Sequence, residues 1–465
     1  MNKTGKYIAY LFFSLFTFLA FMASCTAENE PEKLISPGDK ISLSISFHSA
    51  QQTKTQNGLR GTEIDLEGEK KIYSLAVFIF KSGTNELDGK KIIKRELSGA
   101  ADDQNRKDYK EVSEMKDIEL TAGMRDIYII ANAPDNHFDG VNNWTSFTTS
   151  TELLGEQKTY GSKIDDGTSG ETPIGGEVPE EKYTNLVMTQ SFKNLPLNSG
   201  AEKHYLGYTE NGGIPSADSP GTPLLDGDKK PIKVELVRLV ARVAIQKISF
   251  NLPKSYEFET GKPTSNFNHY IDGVFMLNAK NISSYFPDEF STSDGNFGQG
   301  NTEGYNFLVG KTTNISANAV LADYLYKPLS FPEYDIINNQ VPLWFYAFEN
   351  NQSENYPTGF VIGVKYQYIN PNETETKELK VYYLLAVNRN GKDNGKADHD
   401  FIKRNNQYGL NVTIKGVGNL IAGYSTKSAS LRTADILSAQ EDAGVLEIEE
   451  TVGPNLFPWT GDIYK

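Results

Sequence analysis

The chain has 465 residues, with 46 basic and 60 acidic side chains and a net charge of −14, so its field repels nucleic acid and anionic lipid headgroups. One cysteine in the whole sequence excludes an intramolecular disulfide, and stability must come from apolar burial. Aromatic residues make up 11%, with 25 Tyr and 25 Phe beside 40 Gly, a mix that suits half-buried strands joined by tight turns.

Taken in chain order, Lys3 and Lys6 precede an uncharged apolar run from Ile8 to Met22, and Ala23 and Ser24 lead to Cys25. A charged start, a short apolar run and a small-residue exit predict a secretory signal over residues 1–24, too short for a bilayer span. Met22-Ala23-Ser24-Cys25 resembles the bacterial lipobox, so Cys25 is the expected lipidation site and new N-terminus. Without residues 1–24 the chain keeps 44 basic against 60 acidic residues, a net of −16. No later apolar run approaches the ~20 residues a membrane helix needs.

Residues 25–40 are polar, carry Pro31 and Pro37, and read as a tether. Ile41-Ser-Leu-Ser-Ile-Ser-Phe47 alternates at period two, which predicts a strand buried on the face of Ile41, Leu43, Ile45 and Phe47. The polar stretch after it ends in Asn57-Gly58-Leu59-Arg60-Gly61, an arginine between glycines. Ile72 to Phe80 and Arg125 to Ala131 are apolar on both faces and read as central strands. Residues 155–181 and 210–228 are rich in Gly, Pro, Thr and Asp, and a domain boundary is expected at 232/233.

Lys233 to Phe250 is predicted as one long strand, with Val237, Leu239, Ala241, Val243 and Ile245 in an apolar register and Arg238 and Arg242 in the other. Further strands are expected at Val341–Phe348, Phe360–Ile369, Glu378–Val387 and Gln407–Lys415, with a hairpin at Asn370–Thr376. No long segment carries a helical stripe. The expected class is all-β, with two sandwich-like domains at 61–232 and 233–440.

Chemistry-bearing motifs are absent from the sequence. The five histidines (His48, His137, His204, His269, His399) form no zinc motif, and neither a P-loop nor a G-x-S-x-G is present. Asp398-His399-Asp400 lies in a Gly- and Lys-rich turn and reads as a solvated loop, and no enzyme activity, metal or cofactor is expected. Trp144 and Trp459 read as exposed rings able to stack on sugars, and Trp344 as core.

Four pieces, in this order, resemble the Bacteroidales fimbrillins, subunits of type V pili: the 41–61 strand and arginine loop; "YSLAVFIF" with "RDIYIIANAP"; "VELVRLVARVAIQKISF"; and "RNNQYGLNVTIKG" followed by "VLEIEETVGPNLFPWTGDIY". The resemblance implies two transthyretin-like, Greek-key β-sandwich domains in tandem. It implies an exported lipoprotein precursor at the outer membrane, cut by a trypsin-like, Arg-directed protease and then built into a surface fimbria. Arg60–Gly61 is the expected cut, with Lys54 as competitor, and residues 41–60 are then a removable segment. The groove left by Ile41, Leu43, Ile45 and Phe47 would be filled by another subunit, with donor residues Val445, Leu446, Ile448, Val452, Leu456, Phe457 and Trp459 in the 441–465 tail. Pro454 and Pro458 interrupt that tail. A shaft subunit is favoured over a tip or anchor. The alternative is a lipid-anchored surface protein that binds a glycan or other ligand and does not polymerise.

Overall fold

A computed structural model of the chain describes residues 38–47, 71–96, 109–153, 186–197, 202–208, 221–280, 282–287, 307–309, 326–335, 343–351, 357–389, 395, 397–417 and 445–453. Cys25, Lys54, Arg60, Gly61, Leu456, Phe457 and Trp459 lie outside the described residues. No described helix is long and apolar enough to cross a membrane.

The first half contributes β1 (Lys40–Ser46), β2 (Leu75–Lys81), β3 (Glu86–Ile93), β4 (Glu114–Thr121), β5 (Gly123–Ala131), α1 (Trp144–Thr148), β6 (Thr151–Leu153), β7 (Met188–Leu197), β8 (Lys203–Leu206), β9 (Thr222–Pro223) and β10 (Val237–Arg238). They build a sandwich from a four-stranded sheet, β4-β1-β8-β9, and a five-stranded sheet, β10-β7-β5-β2-β3. The period-two rule explains why β2 and β5 are apolar throughout. Val77, Ile79, Ile127 and Ile129 point into the core shared with β1, while Phe78, Phe80, Tyr128 and Ile130 point to the opposite face and a second core.

That second core runs on into the second half of the chain. On the outer face of the five-stranded sheet sits α1, opened by Asn143, whose side chain accepts from the Ser146 amide at 2.8 Å. Phe147 of α1 meets Phe78 (4.7 Å between ring centroids), Tyr128 (5.1 Å) and Phe286 (6.0 Å). Trp144, expected to be an exposed ring, stands edge-on to Phe80 at 5.1 Å and packs against this core instead.

The second half contributes β11 (Val240–Phe250), β12 (Tyr256–Glu257), β13 (Pro263–Thr264), β14 (Phe267–Lys280), β15 (Ile282–Ser284), β16 (Phe307–Val309), β17 (Tyr326–Phe331), β18 (Tyr334–Asp335), β19 (Leu343–Phe348), β20 (Gly359–Tyr368), β21 (Lys377–Ala386), β22 (Gln407–Ile414) and β23 (Leu446–Gly453). One sheet runs β18-β11-β22-β23 with β19 also on β11; the other runs β16-β14-β20-β21 with β17 also on β14. β6 pairs antiparallel with β15, so a two-stranded ribbon ties the halves together.

The two sandwiches share one wiring. β1 lies between antiparallel β4 and parallel β8, as β11 lies between antiparallel β19 and parallel β22. The order β3-β2-β5-β7 in the first facing sheet matches β17-β14-β20-β21 in the second.

The predicted Lys233–Phe250 strand is divided. Val237–Arg238 pairs with Met188–Thr189 in the first sandwich, Leu239 breaks the ladder, and only β11 belongs to the second. The arginines of its second register are both buried, Arg238 in β10 and Arg242 in β11. Arg238 is fully buried and donates to Asn405 Oδ1 at 3.4 Å, and Arg242 donates to Gln407 Oε1 at 2.8 Å. Phe147→Ala is expected to lower the unfolding free energy by about 3–5 kcal/mol, read from urea denaturation, because it empties the aromatic core between the halves.

Candidate assembly site

β1 is a central strand, and its geometry defines the site. Lys40 to Ser46 run antiparallel to Thr121 to Glu114 and, over Ser42 to Ile45, parallel to Lys203 to Leu206. Alternation then sends Ile41, Leu43, Ile45 and Phe47 inward, where they are 5%, 0%, 0% and 8% exposed. Burying four such side chains stabilises by at most about 6–12 kcal/mol. The backbone adds the Ser42 amide to the Glu202 carbonyl at 2.8 Å and the Phe47 amide to the Ser113 carbonyl at 2.9 Å.

The neighbours are shaped to this strand. Gly207 has φ +83°, and a Cβ there would lie 2.1 Å from the Ser46 carbonyl oxygen, so glycine is needed both for conformation and for close approach. On the outer face the Ser44 hydroxyl accepts from the Asp117 amide at 3.1 Å. At the start of β1, where Lys40 faces Thr121, a buried clasp closes the sandwich. Asp88 on β3 accepts from the Thr121 amide (2.9 Å), the Thr121 hydroxyl (2.8 Å) and Arg125 Nε (2.7 Å). Burial raises the Asp88 carboxyl, but the Thr121 amide, Arg125 and the Thr121 hydroxyl together hold it below its ordinary value.

One residue of the groove is left unsatisfied. His204 on β8 is opposite Leu43 and shares its inward face with Leu206, and it is fully buried. Neither of its ring nitrogens has a hydrogen-bond partner among the described residues. Burial lowers its basicity, which keeps the ring neutral. The sequence had it only as one of five scattered histidines; its place between Lys203 and the apolar Tyr205-Leu206 pair was the available signal.

The C-terminal candidates fall partly in β23. This strand pairs antiparallel with β22, Leu446 opposite Ile414 and Ile448 opposite Val412, at the edge of the second sandwich. Val445, Leu446 and Ile448 are half-buried and pack on the large core. Glu450 lies on the same face as Leu446 and Ile448, and its carboxylate accepts from the Asn388 amide at 2.5 Å. The site therefore brings the four β1 residues together, and it holds the described donor candidates elsewhere, in their own sandwich. Val452 is in β23 opposite Tyr408.

His399 was expected in a solvated loop, but it is buried and bridges Asp398 (2.5 Å) and the Tyr408 hydroxyl (2.7 Å). His399 and Lys403 hold the exposed Asp398 carboxyl at about 2. No group of three or more metal-ligating side chains occurs among the described residues.

Comparison with known proteins agrees with this architecture. The family model of the major fimbrial subunit protein, FimA, matches residues 41–238, which begins at the first core residue of β1 and ends at the last of β10. A Parabacteroides distasonis protein named as a fimbrium tip subunit, Fim1C, is 26% identical over 416 residues, covering 88% of each chain. The major fimbrium subunit FimA type-2 of Porphyromonas gingivalis is 22% identical over 421 residues, covering 85% of this chain and 88% of its own. A crystal structure of a Parabacteroides distasonis protein described as a cell adhesion protein superposes with TM-score 0.53 at 18% identity, over 90% of this chain and 99% of its own, and shares the fold. The all-β fold is thus shared with proteins described as fimbrial subunits and cell adhesion proteins. Residues 41–238 of this chain match the FimA family model, and the chain is similar over most of its length to fimbrium subunits of the Bacteroidales.

Asp88→Asn is expected to destabilise the protein by about 3–5 kcal/mol, since Arg125 loses its buried partner. Because the folded Asp88 carboxyl is depressed, its contribution is present above the ordinary value of about 4 and fades as pH falls through the folded value. Urea midpoints of wild type and variant should therefore converge in acid.

Proposed function

We propose that the chain is a structural subunit of a cell-surface fimbria that polymerises by protease-triggered strand exchange. The observation that carries this reading is the position of β1: a short N-terminal strand, central in its sheet, whose loss opens a core-lined groove with two unpaired ladders. Cys25 anchors the exported precursor through lipid at the outer membrane, and an Arg-directed protease cuts at Arg60–Gly61, releasing the lipid and β1 together. The groove is refilled by residues of the 445–465 tail of the next subunit, with Val445, Leu446, Ile448, Val452, Leu456, Phe457 and Trp459 as its apolar contacts. Contact is head to tail and does not close, so a filament grows. The shared strand order of the two sandwiches supports a transthyretin-like assignment for both.

A shaft position is favoured by the Arg60 loop, since an anchor would keep its lipid. A tip position is the second reading, supported by the similarity to the Parabacteroides distasonis protein named as a fimbrium tip subunit. N-terminal sequencing of the protein recovered from the cell surface separates these schemes from a monomeric lipoprotein. The expected result is a start at Gly61. A blocked, lipidated Cys25 with residues 41–47 retained would overturn the proposal.

A further inference from the structure

Resting on that strand-exchange reading, we propose that His204 and Glu450 form an intersubunit hydrogen-bonded pair that selects the incoming strand and fixes its register. The resident strand offers His204 nothing: opposite it stands Leu43, both lie on the inward face, and the fully buried imidazole has no partner among the described residues. A buried, unsatisfied polar group is a standing cost that a replacement strand can relieve if it brings an acceptor to that position.

β23 brings one. Its alternate positions read Leu446, Ile448, Glu450, Val452, which repeats the spacing of Ile41, Leu43, Ile45, Phe47 with a carboxylate in place of one apolar residue. Laid in the place of β1 but running the opposite way, Val452, Glu450, Ile448 and Leu446 take the positions of Ile41, Leu43, Ile45 and Phe47. Running the same way with a two-residue slide, Ile448, Glu450 and Val452 take those of Ile41, Leu43 and Ile45. Both arrangements set Glu450 beside His204. The unshifted parallel register instead sets Glu450 at the Ile45 position, opposite Leu206, and strands both polar groups. The occupant is therefore a second copy of this chain, and the pair is a register lock in an otherwise apolar groove. In its own sandwich Glu450 accepts from the Asn388 amide, a contact that donation would release.

The test uses the full chain with an Arg-specific endoprotease, and it counts SDS-resistant multimers on gels. Glu450→Leu should reduce multimers about tenfold or more, and Glu450→Gln, which keeps an acceptor, should assemble close to wild type. His204→Leu alone should also be impaired, because it leaves the carboxylate buried without a donor. The double variant His204→Leu/Glu450→Leu should recover assembly. Melting of each uncleaved variant reports whether it folds. Unchanged multimers in Glu450→Leu, or a double variant as impaired as Glu450→Leu alone, would overturn the pair. Multimers that persist after deletion of residues 445–465 would overturn the pair by removing the donor reading beneath it, a result distinct from either.

Discussion

Everything in the first sandwich depends on β1 lying between two neighbours. Among the described strands β4 pairs only with β1 in its sheet, so the pairing that holds β4 is also the pairing that the proposed assembly would remove. Support for β4 beyond that pairing includes β3 and β5: the Asp88–Thr121–Arg125 clasp at one end and the Lys91 ammonium donating to the Lys116 carbonyl at 2.6 Å further along. These bonds cross between the sheets, so they survive loss of the ladder. A groove whose walls stay put costs less ordering entropy to refill.

The second sandwich repeats the wiring with its central strand joined directly to the first. Its strand equivalent to β1 is β11, which follows β10 after the single residue Leu239 and so is covalently tied to the first sandwich. Arg238 and Arg242 fix that junction to Asn405 and Gln407 in buried bonds. With the β6–β15 ribbon and the aromatic core under α1, the two halves share apolar surface and backbone pairing. A subunit that transmits tension along a filament needs such a joint, since a polar, narrow contact would let the domains move independently.

Much of this was legible in the residues. Ile41 to Phe47 alternates cleanly, and one-face burial follows because the strand period is two whatever the partner. The both-face apolar runs at Ile72–Phe80 and Arg125–Ala131 identified strands with cover on two sides, and the hairpin at Asn370–Thr376 was marked by its turn residues, Asn372 adopting φ +66°. The strand ends and the division at Leu239 were not legible, because β-branched residues on both sides of a break look alike until each side has a partner sheet.

The sequence by itself determined the all-β class, the inward face of β1 and the absence of familiar catalytic and metal-binding motifs, since these rest on periodicity and on residue types that are local. Only the tertiary structure decided that Arg238 and Arg242 are buried, that Trp144 is packed, and that His204 faces Leu43 without a hydrogen-bond partner among the described residues. Those facts belong to pairs of segments far apart in the chain. A strand's alternation says which residues share a face, but the identity of what covers that face is set by the long-range pairing alone.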